Sequence, residues 1–304
     1  VTSAKLRQTM LKRFKLHSLH YYPAELKLFA GVDQAAVYMV MSGTDGTSEG
    51  LVVSHLREGK AVFSLDESFW DYSAQNQWLI PLGYREEEIK LVEKMSGFPT
   101  LGSSKFISLG REVDETRISE RLCELSPYHF VKGFMISCYR LSDNKPWYYD
   151  PEKAAIPPSA DKEKVVWRDV SRVSQRKRVQ ATLLAPNHIA GNSLGVATCN
   201  DPRLLRAFLG VMNSSVFEFI ARTVLTTNHV SSGMLKRLPF PSMNDDTIEC
   251  LAERVDTALA NPYSASILEH IDKMVADAYG LSAEELETAK RSIKAGHQPT
   301  IDNR

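Results

Sequence analysis

The residues best equipped for chemistry lie between positions 167 and 241, and the chemistry they suit is the binding of a polyanion with a readable edge. Arg168, Arg172, Arg176, Lys177 and Arg178 are opposed in the same window only by Asp169, a local charge of plus four in a chain whose 37 basic and 37 acidic residues cancel. Salt screening leaves mainly nearby charges effective, so a concentrated cationic segment can direct a field at phosphates even in a neutral protein. A solvated strand edge guarded by arginine and lysine accounts for the charge equally well. Beside this segment, residues 186–193 carry Asn187, His188, Asn192 and Ser193, and residues 226–233 carry Asn228, His229 and Ser231, followed by Lys236 and Arg237. Side-chain amides pair with adenine, arginine pairs with guanine, and serine or histidine can meet several base edges. Taken singly, each of these residues is also an ordinary turn residue that satisfies its own backbone.

The elements that must position these groups can be read around them. Residues 179–185 suit a strand and residues 186–193 a loop. Asp201 is a fitting N-cap, with Pro202 in the first turn. Leu204, Leu205, Phe208, Leu209, Met212, Val216, Phe217, Phe219 and Ile220 then recur at helical spacing, which predicts one long core helix reaching about Val224.

The run "LLRAFLGVMNSSVFEFIARTVL", continued by "NHVSSGMLKRLPFP", resembles the helix, loop and closing Leu-Pro-x-Pro of the TaqI-like C-terminal specificity domain, the target-recognition part of type II restriction-modification adenine methyltransferases. "SQRKRVQATLLAPNHIAGNSLGVA" is similar to the segment before that helix in larger type II members that fuse or pair modification with cleavage. "LRQTMLKRFKLHSLHYYPAELKLFAGVDQAAVYMVMSG" looks like the last helix and strands of the catalytic domain of such a methyltransferase, and "ILEHIDKMVADAYGLSAEELE" is similar to the helical tail that follows the specificity domain. The resemblance spans roughly residues 1–290, and the order of its motifs is its specific feature. It implies binding of double-stranded DNA at Arg172, Arg176, Lys177, Arg178, Asn187, His188, Asn192, Ser193, Asn228, His229, Ser231 and Lys236. It also implies an upstream methyltransferase domain or subunit, a possible restriction endonuclease partner, and S-adenosylmethionine as the parent enzyme's cofactor.

The chain carries neither a glycine-rich S-adenosylmethionine loop nor an Asn/Asp-Pro-Pro-Tyr/Phe motif. Asn261-Pro262-Tyr263 is a partial match that reads better as a helix stop in which Tyr263 packs. No catalytic residue and no cofactor are therefore expected in this chain. Asp114, Glu115 and Glu120 form no nuclease arrangement and suit a solvated acidic face. The first residue is Val1, and the expectation is the carboxyl-terminal part of a longer enzyme.

Composition sets the frame: 43% hydrophobic and 24% charged over 304 residues describes a globular chain of about two domains. No apolar run approaches the length of a membrane span, no secretory signal is visible, and a cytoplasmic, nucleoid-associated setting without a membrane partner is expected. Cys123, Cys138, Cys199 and Cys250 lack metal-ligand spacing, as do the eight histidines, so no structural metal is predicted.

Residues 3–15 are amphipathic, and strands are predicted at 17–22, 35–41, 51–56 and 61–65. An aromatic-rich linker with a helix at 85–95 follows, then strands at 101–111 and 128–140. Lys105, Arg111, Lys132 and Arg140 could extend a phosphate rim, and Trp147, Tyr148 and Tyr149 could pack or stack. Helices at 246–260, 264–279 and 283–293 close the chain, with Gly280 as a stop, a Ser282/Glu285 capping box, and fraying over 297–304. The fold class is α/β (α+β). Residues 1–66 would end a methyltransferase-like sheet, 67–98 form a linker and helix, 99–245 the recognition domain, and 246–304 a helical tail. A different function class fits the same elements: an interaction module that docks a partner restriction-modification subunit through this tail.

Overall fold

The computed structural model describes residues 4–23, 26–31, 34–43, 50–57, 59–113, 118–142, 147–172, 175–225 and 227–295. Asp114, Glu115, Thr226, the expected helix start at Ser3 and the expected fraying over 297–304 lie outside them. The protein is a mixed α+β chain that divides into two compact units, Val1–Gly97 with Arg291–Arg304, and Phe98–Lys290.

The first unit opens with helix α1 (Ala4–Arg13). It builds a sheet from β1 (Lys15–Tyr22), β2 (Ala36–Ser42), β3 (Gly50–Leu56) and β4 (Gly59–Leu65) in the order β2-β1-β3-β4, with only β1 and β3 parallel. Alternation in β4 buries Phe63 and Leu65 and turns Val62 and Ser64 out, the period of a half-buried strand. Residues 67–96 hold two helices where one was expected. They form α2 (Glu67–Gln75), capped by Asp66 accepting from Phe69 N at 2.9 Å, and α3 (Glu86–Ser96), and Phe69, Tyr72, Ile89, Val92 and Met95 are buried. Aromatic side chains of that size favour packing over a free connection.

The second unit pairs two four-stranded sheets. One runs β12 (Ala181–Leu184), β11 (Lys164–Arg168), β14 (Leu194–Thr198), β5 (Ser108–Gly110), all antiparallel. The other runs β13 (His188–Ala190), β7 (His129–Val131), β10 (Trp147–Tyr149), β6 (Leu122–Cys123), with β13 and β7 parallel, while β8 (Ile136–Ser137) and β9 (Arg140–Leu141) form a separate antiparallel pair. Of the strand expected over 101–111 only β5 forms. The chain first makes a 3-10 turn at Leu101–Ser103, pinned by Leu101 N to Leu238 O at 2.8 Å. Val131, Val166, Leu184, Ala190, Leu194 and Val196 from both sheets make one apolar core.

Inside the unit, Lys164 and Glu112 form a fully buried pair at 2.6 Å, and Glu112 also accepts from Ala190 N at 2.6 Å. Burial pushes the Lys164 ammonium below its ordinary value, while Glu112 pulls it back.

The helix expected through Val224 is two helices, α4 (Pro202–Asn213) and α5 (Ser215–Val224), bent by 65°. Ser214 is extended and caps α5 by accepting from Phe217 N at 3.1 Å. The Asn213 amide leaves the helix to pair with both backbone groups of Ala181, at 3.0 and 2.9 Å. A side chain that bonds non-helical backbone this way favours a break over continuation. No single helix among the described residues is long and apolar enough to cross a membrane.

The tail forms α7 (Asp245–Ala260), α8 (Ala265–Ala278) and α9 (Ala283–Ala295), after a short α6 (Ser232–Leu235). Leu251, Val255, Ile271 and Val275 are buried within the unit. α7 approaches α4 closely at Gly210, where an added Cβ would lie 2.9 Å from Val255. The Ser282/Glu285 capping box is present, at 2.6 and 3.2 Å, and Gly280 adopts φ +64°. Tyr263 lies outside the core: it is 76% exposed, just past the Asn261 cap that ends α7.

Candidate nucleic-acid interface

Both sheets of the second unit deliver loops to a common end. β7 and β13 run parallel and finish together, with Gly191 N donating to Val131 O at 2.9 Å, and Arg168 at the end of β11 pairs with Leu194 at the start of β14. The segments leaving these ends are stitched to one another. Asp169 N donates to Ser193 O at 3.0 Å, Gly133 N to Ser193 Oγ at 2.9 Å, and Arg168 Nε to Gly133 O at 2.7 Å.

Residues 228–230 join them through Ser171 N to Asn228 O and Val230 N to Asp169 O, both 2.7 Å, and a bridge between Val170 and His229. Arg172, Asn192, Ser193, Asn228 and His229 thus share one rim although their positions differ by up to 57 in the sequence. Gln175 N bonds Arg172 O at 3.0 Å and brings Arg176 into the same neighbourhood, and both arginine side chains are exposed.

At the centre of the rim sits Asp169, whose side chain is 5% exposed. Its Oδ2 receives Arg111 Nη2 at 2.9 Å and His229 Nδ1 at 3.0 Å, and the His229 ring is 60% exposed. Trp167, fully buried two residues before, donates Nε1 to Val230 O at 2.7 Å and fixes the strand-like segment that carries His229.

The basic segment is a different object from the one its composition suggests. It precedes β12 as an irregular stretch, and two of its cations face inward. Arg178 is 2% exposed; its guanidinium donates to Leu225 O at 3.1 Å, to Ser171 O at 2.9 Å and to Thr227 O. Lys177 Nζ donates to Asn213 O and, at 3.2 Å, to Ser214 O. Leu225 is the C-cap of α5, and Asn213 and Ser214 are the last residue and C-cap of α4. Helix ends leave carbonyls without intrahelical partners and carry the negative pole of the macrodipole, so a cation is satisfied there.

Below them Glu218, fully buried, accepts from Arg178 N at 3.0 Å, Val179 N at 2.8 Å and Arg222 Nε at 2.6 Å, while Arg222 donates to Gln175 O and Arg176 O at 2.9 Å. Arg178 and Lys177 are therefore parts of the frame. Arg172 and Arg176 remain as outward charges of the segment.

The other expected contacts are placed elsewhere. Asn187 precedes β13 and His188 begins it, at the end away from Ser193. Asn187 has φ +65° and its backbone bonds Ala160 O and His129 N, while His188 stacks on His129 at 5.0 Å and bonds Ala185 O at 3.1 Å. They make a turn that the rim does not include. Ser231 caps α6 by accepting from Met234 N at 3.3 Å. Lys236 lines an open cavity of about 400 Å³ with Lys105 and Lys162, beside Thr198 at the far end of β14. Lys132 lies over Trp147 at 4.0 Å from the ring centre, and Arg140 over Tyr263 at 5.6 Å.

The partial motif at Asn261-Pro262-Tyr263 ends a helix, and its tyrosine meets Arg140 in the open instead of lining an adenine pocket.

Comparison with known proteins gives structural likeness alone. No family model matches the chain, and no curated protein does. Among solved structures it is similar to the type IIG restriction endonuclease BpuSI, at 10% identity over 91% of this chain and 45% of that one, with a TM-score of 0.45. It is also similar to the type IIL restriction-modification enzyme MmeI, solved in complex with DNA, at 11% identity over 93% and 46%, with a TM-score of 0.47. The chain spans less than half the length of either.

Asp169 was not among the expected contacts, and neither was Glu218. For Asp169 a signal existed: it is the lone carboxylate in a cationic window, and an isolated acid among arginines has partners waiting. Glu218 carried none, since its neighbours in sequence are apolar.

Proposed function

We propose that the second unit is a target-recognition module for double-stranded DNA, the specificity part of a type II restriction-modification adenine methyltransferase whose S-adenosylmethionine chemistry is carried by other residues than these. Its partners in this reading are the duplex, the methyltransferase part and, where the parent also cleaves, an endonuclease part. The observation that carries it is the rim itself: loops from two sheets, distant in sequence, are bonded into one edge that offers Arg111, Arg172 and Arg176 beside Asn192, Asn228 and His229. Phosphate contacts hold a protein in register on a duplex and base-edge contacts select the sequence; this edge has both kinds of group. The motif order set out in the sequence supports the finer assignment.

The Arg172→Ala/Arg176→Ala variant tests it. Both side chains are exposed, so thermal unfolding stays where it is. Affinity for any duplex falls about tenfold at moderate salt, and the slope of log K against log salt flattens by roughly 1.8, the release of about 0.9 counterion for each lost phosphate contact. Fluorescence anisotropy at several salt concentrations reads both. An unchanged dissociation constant at low salt overturns the proposal.

A further inference from the structure

The rim contains a device that general phosphate binding does not require. Asp169 is buried to 5% of its side chain, yet the groups it binds, Arg111 and His229, are 52% and 60% exposed. Burying a carboxylate is costly unless it is paired and bonded, and here the pairing serves two side chains whose working ends face solvent. Main-chain bonds on both sides, Asp169 N to Ser193 O and Val230 N to Asp169 O, hold the carboxylate and the imidazole in register.

The chemistry at the two working ends follows from the shared oxygen. A carboxylate beside a guanidinium is an acceptor, so the His229 Nδ1 that meets it carries the hydrogen. In the neutral ring the proton then sits on Nδ1, and Nε2, with no contact among the described residues, is left as an outward acceptor. Arg111 bonds the same Oδ2, and the rest of its half-exposed guanidinium keeps further donors. The edge therefore presents an acceptor and a donor whose side chains are both held by one buried atom.

We infer that Asp169 is a positioning residue that sets His229 and Arg111 as an acceptor–donor pair, and that this pair reads a base edge offering an amino donor beside a ring acceptor. In the major groove that edge belongs to adenine, with N6–H₂ beside N7, whereas guanine offers two acceptors and cytosine a donor without the neighbouring ring acceptor. The inference rests on the DNA-recognition reading of the rim and deepens it: one A·T pair of the target is selected by His229 and Arg111 acting through Asp169.

The test is selection from a randomised duplex library with the full chain, its His229→Ala variant and its Asp169→Asn variant, each first checked for folding by thermal unfolding. The unaltered chain enriches a motif that contains at least one A·T pair, and both variants lose preference at that pair by about tenfold relative to the other positions of the same motif. A merely structural role for Asp169 would weaken every position alike. His229, being exposed, can be replaced without disturbing the fold, so a poorly folding Asp169 variant still leaves a decisive arm. If the variants retain every position of the motif, the inference is overturned while the DNA-recognition reading stands. If the unaltered chain enriches nothing, that reading itself fails.

Discussion

Replacing Glu218 by alanine is expected to lower the stability of the second unit by about 3–5 kcal/mol, the loss associated with removing one partner of a buried ion pair. The side chain is fully buried and accepts from two main-chain N–H groups, Arg178 and Val179, and from Arg222. Alanine leaves both amides and the guanidinium without that carboxylate, and neither amide has access to water, since Arg178 and Val179 are buried. In a unit of this size the change corresponds to a fall in Tm of roughly 10 °C.

Glu218→Gln separates charge from shape: it keeps the volume and one acceptor but turns an amide N–H₂ toward a donor. An intermediate loss is expected. Thermal unfolding of the two variants checks both statements, and a Glu218→Ala protein that melts with the unaltered chain would show that this carboxylate does not hold the basic segment.

Gly195→Ala should be as damaging by a different route. A Cβ at this position would stand 2.1 Å from Cε2 and Cζ2 of Trp167, the residue it pairs with across the sheet. The indole cannot step aside cheaply, since it is fully buried and its Nε1 is bonded to Val230 O. Overpacking of a well-filled core costs about 1–3 kcal/mol and occasionally more, and contact this short between a backbone-fixed carbon and an anchored ring belongs to the upper end. The expected outcome is a loss of about 3 kcal/mol or more, with amide exchange at Val230, whose N–H donates to Asp169 O, speeded more than in the strands. A variant of ordinary stability with Val230 still protected would contradict the described packing.

Much of the scaffold is legible in the sequence. The strands of the first unit fall on the short apolar runs of residues 17–65, and the N-cap at Asp201 and the capping box at Ser282 are local hydrogen-bond signatures, which need no knowledge of distant contacts. The bend at Asn213–Ser214 escaped the reading because apolar spacing runs on through Met212, Val216 and Phe217 as if one helix continued. Only the Asn-Ser-Ser triplet, rich in capping residues, marked the break.

The candidate site was legible in part. That residues 192–193 and 228–229 carry polar groups could be read; that they meet could not, because the meeting runs through the segment after β11, whose Asp169 and Ser171 bond Ser193 on one side and residues 228–230 on the other. The basic segment shows the limit most plainly. Charge is a property of the sequence, but which cations are turned to helix ends depends on where α4 and α5 stop, and their stopping points were unknown.

The bonds that assemble the rim run through the main chain or through Trp167, Ser193, Arg168 and Asp169, leaving the side chains of Arg172, Asn192 and Asn228 out of that scaffolding. Mutational drift at those three positions therefore meets little resistance from folding. Such an edge can diversify by point substitution, one lineage from the next, without the chain having to find new supports each time.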